Sequence, residues 1–153
     1  MTDSRAYWLV VFTEKTWAEA LAAGGNIVGF RSASRNNFEK IAVGDYLLCY
    51  LTGISRFVAV QEVVSEPFLD DTPVWKDDVF PYRVMAKTIT QLKPDTAVPV
   101  KELAPRLSIF NKFILPGNWG VFFRTSPRKW NKEDGQIVVD AIQRAAKERG
   151  GSR

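Results

Sequence analysis

The chain contains no histidine and a single cysteine. Those two shortages remove every histidine-dependent catalytic triad, most zinc, haem and iron–sulfur sites, and any disulfide within the chain. Cys49 lies between Leu48 and Tyr50 in an apolar run, where a thiol is expected to be buried and inert. Long hydrophobic stretches are missing too. The runs Tyr7–Phe12 and Tyr46–Leu51 fall far short of the roughly 20 residues that a membrane helix needs. The opening residues lack the basic, apolar, then small-residue order of a secretion signal, so the expected location is cytoplasmic. No glycine-rich phosphate loop and no nucleophile elbow is found.

What is present is the balance of one ordinary globular domain: 153 residues, 46% apolar and 25% charged. The expected unit spans 1–153, with a core over about 7–145 and flexible ends at 1–5 and 149–153. A net charge of +4 admits a polyanionic partner without requiring one.

Tyr7-Trp8-Leu9-Val10-Val11-Phe12 reads as a strand buried on both faces. A helix follows, with Thr16 and Glu19 at capping-box spacing, Trp17, Ala20 and Leu21 on one face, and Gly24-Gly25 as its stop. Ile27-Val28-Gly29-Phe30 makes a second strand, and the polar residues 31–37 after it read as a surface loop. Tyr46–Leu51 and residues 57–64 form a hairpin across Thr52-Gly53. Residues 66–81 read as a long ordered loop, and residues 82–92 as another strand. Short helical segments are expected over 99–107 and 108–115, and a last strand at Gly120-Val121-Phe122-Phe123-Arg124. Asn131 caps a final helix whose stripe is Ile137, Val138, Ala141, Ile142 and Ala145.

Four groups of residues are candidates for chemistry. Arg31, Ser32, Arg35 and Asn36 combine guanidinium forks with short polar side chains, which suit a phosphate and a base edge, although a solvated loop has the same look. Residues 124–132 carry Arg124, Arg128, Lys129 and Lys132 around Trp130; they fit a phosphate backbone and a stacked base, or a connection in which Trp130 staples the last helix to the core. Phe30, Tyr50, Trp75, Phe80, Tyr82 and Trp119 form an aromatic set from which a base-sized slot is made if two or three rings converge. Trp75, among polar and acidic neighbours, is not expected to be buried by simple packing. The acidic pairs Asp70-Asp71 and Asp77-Asp78 read as solvated rather than as a metal or catalytic site.

Tyr7-Trp8-Leu9, Arg35-Asn36-Asn37, Gly44-Asp45 leading into Tyr46-Leu47-Leu48-Cys49-Tyr50, the strand from Val58 with its exit at Ser65-Glu66-Pro67, and Pro81-Tyr82-Arg83-Val84 follow one another in the order and spacing of the EVE domain, which the chain resembles from about residue 7 to 142. The resemblance implies an α+β, PUA-like fold related to the YTH and ASCH domains: a bent mixed sheet or open β-barrel of about six strands with flanking helices. It further implies a binding module rather than an enzyme, holding a modified base of DNA or RNA in an aromatic pocket with a basic rim. Carried onto matching positions, the site is Phe30, Arg31, Ser32, Arg35, Asn36 and Trp75, with Tyr50 and Tyr82 as further rings and Arg124 and Arg128 on phosphates. The YTH branch has a tryptophan on the second strand where this chain reads Ile27-Val28-Gly29-Phe30, so Phe30 or Tyr50 would have to supply that wall.

No cofactor, metal or catalytic residue is expected. Two rivals stand beside the base reader. One is a small nucleoside-processing enzyme, for which Lys15, Glu62 or Lys87 would need burial to shift their pKa values. The other is a protein-interaction module, marked by an exposed apolar patch.

Overall fold

The computed structural model describes residues 5–110, 123 and 126–149. Its centre is strand β1 (Tyr7–Phe12), whose unbroken apolar run is buried on both faces, as a strand flanked on each side requires. β1 pairs in parallel with β3 (Tyr46–Leu51) and antiparallel with β8 (Arg128–Trp130). β3 continues antiparallel into β4 (Arg56–Val63), and β4 into β6 (Tyr82–Gln91), whose first half pairs with β2 (Ile27–Phe30). Among the described residues the path is therefore β2-β6-β4-β3-β1-β8, with two short strands off it, β5 (Phe68–Leu69) on β6 and β7 (Val98–Pro99) on β4. Register shifts at Cys49/Tyr50 and Val60/Gln61 bend this mixed sheet into a half-barrel.

Helix α1 (Glu14–Ala22) starts one turn earlier than the sequence spacing suggests. Thr13 is its cap: the Thr13 hydroxyl accepts the Thr16 N–H at 3.0 Å, and the Thr16 hydroxyl accepts the Thr13 N–H at 2.9 Å. Trp17 and Ala20 are buried, but Leu21 stays 36% exposed. The polar residues 31–37 are exposed or half-buried as expected, yet they are helical rather than irregular: a 3-10 turn, Ser32–Ser34, leads into α2 (Arg35–Phe38). Phe38, buried against Phe30 at 5.9 Å, pins the end of that turn. α3 (Val100–Leu103) matches the expected helical segment at 99–107.

The last helix, α4 (Lys132–Arg149), is capped by Asn131, whose side-chain oxygen accepts the Asp134 N–H at 2.8 Å. Val138, Val139, Ile142 and Ala145 are its buried stripe. Asp134 itself is buried and accepts the N–H groups of Ser108 and Ile109 and the Ser108 hydroxyl, at 2.8 to 3.0 Å, tying the 3-10 turn Ser108–Phe110 to the helix. Gly135 is obligatory in that helix, since a Cβ there would stand 2.4 Å from the Tyr7 ring. The Gly44-Asp45 turn is also structural: the buried Asp45 carboxylate accepts the Trp8 indole N–H at 2.9 Å and the Ala6 and Ala42 N–H groups at 3.0 Å.

The strand expected at Gly120–Arg124 lies outside the described residues except for Phe123, which is buried. β8 occupies part of the basic segment 124–132, for which a phosphate-binding stretch and a connection were both open readings. Its Trp130 is buried against Phe57 and Phe123, so this ring is a staple of the core. Among the described residues no helix is long and apolar enough to cross a membrane.

Candidate functional site

Two segments that are 90 residues apart in the chain are joined here. Ser34 Oγ donates to the Ser126 carbonyl at 2.6 Å and Asn37 Nδ2 to the Pro127 carbonyl at 3.0 Å. Ser126 Oγ in turn accepts the Val11 N–H at 3.0 Å, so both segments are fastened to β1. The α2 turn is thereby buttressed against the start of β8, which sets the exposed Arg31, Ser32, Arg35 and Asn36 beside the exposed Arg128 and Lys129. The fold thus unites the two basic candidates of the sequence. Arg124 lies outside the described residues.

The aromatic set divides. Phe30 is buried and, with Phe38, forms the floor under the α2 turn; Tyr82, half-buried, meets Phe38 edge-on at 5.2 Å. Tyr50 is elsewhere in the core, stacked on Phe123 at 4.0 Å and edge-on to Phe57, and burial raises its phenol pKa despite a hydrogen bond with Ser55. Tyr50 therefore stands with the core rings and makes no ring contact with Phe30, Trp75 or Tyr82 among the described residues. Trp119 lies outside them.

Trp75 corrects the expectation drawn from its polar neighbours, for it is only 6% exposed. Its indole N–H is satisfied by the Thr16 carbonyl at 3.1 Å, and Phe80 meets it edge-on at 5.2 Å. Both rings rest on Gly29: a Cβ at that position would be 2.8 Å from the Phe80 Cβ, the Phe80 carbonyl and the tip of the indole. Trp75 and Phe80 thus occupy the space that the missing side chain of Gly29 leaves on β2.

Sequence reading missed Arg83, which organises this loop. It is fully buried on β6, donates to the carbonyls of Thr72, Val79 and Phe80 at 2.6, 3.0 and 3.1 Å, lies 3.4 Å from Asp70, and stands over the Trp75 ring. Phe80, held from both sides, has φ of +47°, a strained setting for a bulky residue. Its ring is half-buried, with the Arg31 guanidinium over it at 5.4 Å. In the sequence Arg83 stands within Pro81-Tyr82-Arg83-Val84, and nothing in its local pattern announces its burial.

Asp77 and Asp78 act as counter-ions, as does Glu39. Asp78 accepts from Arg31 at 3.1 Å, Asp77 from Lys15, and Glu39 from Arg35 at 3.0 Å. Hydrogen bonds from Thr72 hold the Asp70 carboxyl below the ordinary carboxylate value, with Arg83 adding to the effect. Among the described residues no acidic, cysteine or histidine cluster suits a metal ion. The enzyme candidates fare no better as buried groups, since Lys15 is exposed and Glu62 shares a surface network with Arg5 at 4.0 Å and Lys87 at 3.8 Å. Cys49 is fully buried, which raises its thiol pKa and leaves it unreactive.

With this geometry in view, comparison with known proteins is specific. The EVE domain matches residues 6–138. A UPF0310 protein of Pyrococcus abyssi is 29% identical over 115 residues, covering 67% of this chain and 77% of its own. The YTH domain-containing protein Mmi1, solved with RNA, superposes with a TM-score of 0.69 at 16% identity, over 95% of this chain and 85% of that one. The YTH domain of Zygosaccharomyces rouxii MRB1, in complex with N6-methyladenosine RNA, gives 0.64 at 16% identity over 92% and 88%. Rpa0253 from Rhodopseudomonas palustris gives 0.61 at 18% over 90% and 93%. The chain belongs to the EVE domain family, and its bent mixed sheet is the PUA-like fold that the YTH domains share.

Proposed function

We propose that this EVE domain is a nucleic-acid-binding module, acting as one domain, that reads a modified base reversibly and without chemistry. The observation that carries the reading is the joining of residues 31–37 to the start of β8, which brings the turn that bears Arg31, Ser32, Arg35 and Asn36 to the strand that bears Arg128 and Lys129, with the half-buried rings of Phe80 and Tyr82 against that turn. Cations track phosphates, short polar side chains meet a base edge, and a half-exposed ring supplies a stacking surface worth about 1–3 kcal/mol per base. The likeness in fold to YTH domains solved with N6-methyladenosine RNA supports RNA as the first target to try, with DNA as the alternative.

Trp75 and Phe30 enter this reading as supports. Trp75 backs the Phe80 ring, and Phe30 backs the α2 turn, so a base that stacks does so on Phe80 or Tyr82, or displaces Phe80 from Gly29 to reach Trp75. Tyr50 and Arg124 stay in the proposal as expectations from family likeness, Tyr50 as a core brace. The test is fluorescence anisotropy of short RNA and DNA strands, methylated and unmodified, at two salt concentrations. Preference for one modified strand, lost in Tyr82→Ala or Phe80→Ala, with Arg35→Ala weakening every strand alike, is the expected result. No binding above background at low salt overturns the reading.

A further inference from the structure

A cleft of about 1450 Å³ lies between α1, the second half of β6 and the C-terminal half of α4, and none of the residues just assigned to base reading lines it. Its wall is unusual in that Thr88, Ile89, Thr90, Gln91 and Leu92 all line it in succession. Successive strand residues point to opposite faces, so a wall made of every residue rather than every second one is a strand edge and not a face. The pairing agrees. β2 accompanies β6 only as far as Met85, with one further bond from the Ala86 N–H to the Asn26 carbonyl. From Lys87 to Gln91, β6 pairs with β4 on one side and, among the described residues, with no strand on the other.

The opposite wall is a stripe of α1 at helical spacing, Glu14, Trp17, Ala18 and Leu21, in which Leu21 is a large apolar side chain left 36% exposed. Lys93 closes one end, and Arg144 and Lys147 of α4 stand along the side. These three cations have no ion-pair partner among the described residues; the acids on the wall are Glu14 and Asp140. Four or five residues of extended chain, at about 3.3 Å each, match the open length of β6. The volume exceeds the roughly 300–1,000 Å³ of small-molecule pockets, which favours a polymer segment.

We infer that this cleft docks an extended acidic peptide segment of a partner protein, taken up as an added strand on the free edge of residues 87–91, with its apolar side chains against the exposed Leu21 and its carboxylates toward Lys93, Arg144 and Lys147. A nucleic-acid strand suits the cleft less well. The aromatic side chain on its wall, Trp17, is 2% exposed and offers no face for stacking, whereas a main-chain edge supplies bonds that a peptide can use. The inference is independent of base reading, which uses other residues.

The test is a nitrogen-15 NMR titration of the full chain with an acetylated hexapeptide of alternating glutamate and valine. The controls are its lysine–valine counterpart, the same acidic peptide N-methylated at alternate residues, and oligouridylate. Amide shifts are expected at residues 88–92 and on the α1 stripe with the acidic peptide alone. Affinity should fall about ten-fold or more in the Arg144→Glu, Lys147→Glu double variant, since reversal sets like charges face to face. N-methylation, which removes strand donors, should abolish binding. Equal binding of the lysine peptide, insensitivity to the double variant, shifts confined to other residues, oligouridylate moving these amides in place of the peptide, or concentration-dependent shifts of the free protein at these amides would each overturn the inference.

Discussion

Arg31 and Arg144 are both exposed arginines on a surface of modest positive charge, but their settings differ. Around Arg31 every part is held: Asp78 pairs with the guanidinium, Phe80 lies under it, Arg83 fixes the loop from below, and Ser34 and Asn37 tie the next turn to Ser126 and Pro127. Around Arg144 the wall carries an exposed leucine and, among the described residues, cations without ion-pair partners and an unpaired strand edge. On the proposed reading the first region is held in advance for a partner that must fit a fixed geometry, since rigid supports reduce the ordering cost of binding. On the inference drawn above, the second is left open for a partner that brings its own backbone to the sheet.

The sharpest way to break this contrast is to remove the support of the first region. Arg83→Met leaves the Thr72, Val79 and Phe80 carbonyls without their donor, and stability should fall by about 3–5 kcal/mol in urea unfolding. Trp75→Ala should cost a similar amount, about 3–5 kcal/mol, because it empties a filled site; any loss of binding in that variant must be read beside its stability. Gly29→Ala drives a Cβ into the Phe80 backbone and should cost about 1–3 kcal/mol, with near-ultraviolet circular dichroism reporting displaced rings. By contrast Leu21→Ser, in the second region, should change stability by no more than about 0.5 kcal/mol and leave nucleic-acid affinity untouched.

Charge changes probe the contrast more finely. Asp78→Asn frees Arg31 from a surface pair worth about 0.2–1 kcal/mol, so affinity for an RNA strand should rise by a factor of up to about 5, with a steeper salt dependence. The smallest effect concerns pH. The folded-state pKa of Asp70 is depressed by the Thr72 hydrogen bonds, so what this carboxylate contributes is complete above the ordinary value of 3.8 and is lost as pH falls through the lower folded value. Thr72→Val should therefore loosen the loop at a higher pH than in the wild type during acid titration followed by tryptophan fluorescence.

The strands were legible because β1, β3 and β4 are apolar runs bounded by turn residues, and the last helix because Asn131 and its stripe obey helical spacing. The α2 turn was not, since its polar residues carry no period and Phe38, outside the stretch, is what holds it. Trp75 illustrates a more general limit. Its burial depends on Gly29 and Thr16, which lie more than 40 residues away in the chain, and no local pattern can announce a glycine that makes room for a distant ring. The basic segments were visible as composition, but their union required Ser34 and Asn37 to find the carbonyls of Ser126 and Pro127. The open edge of β6 had no counterpart in the reading, since pairing partners are a property of topology.

The measurement that tests the central claim most directly is a nitrogen-15 shift map of the protein titrated with a short RNA carrying one N6-methyladenosine, beside the same strand unmethylated. The account predicts tighter binding of the methylated strand, with shifts concentrated at residues 31–37, 80–82 and 128–129. Shifts centred on residues 88–92, 144 and 147, or no shifts with either strand, would contradict it.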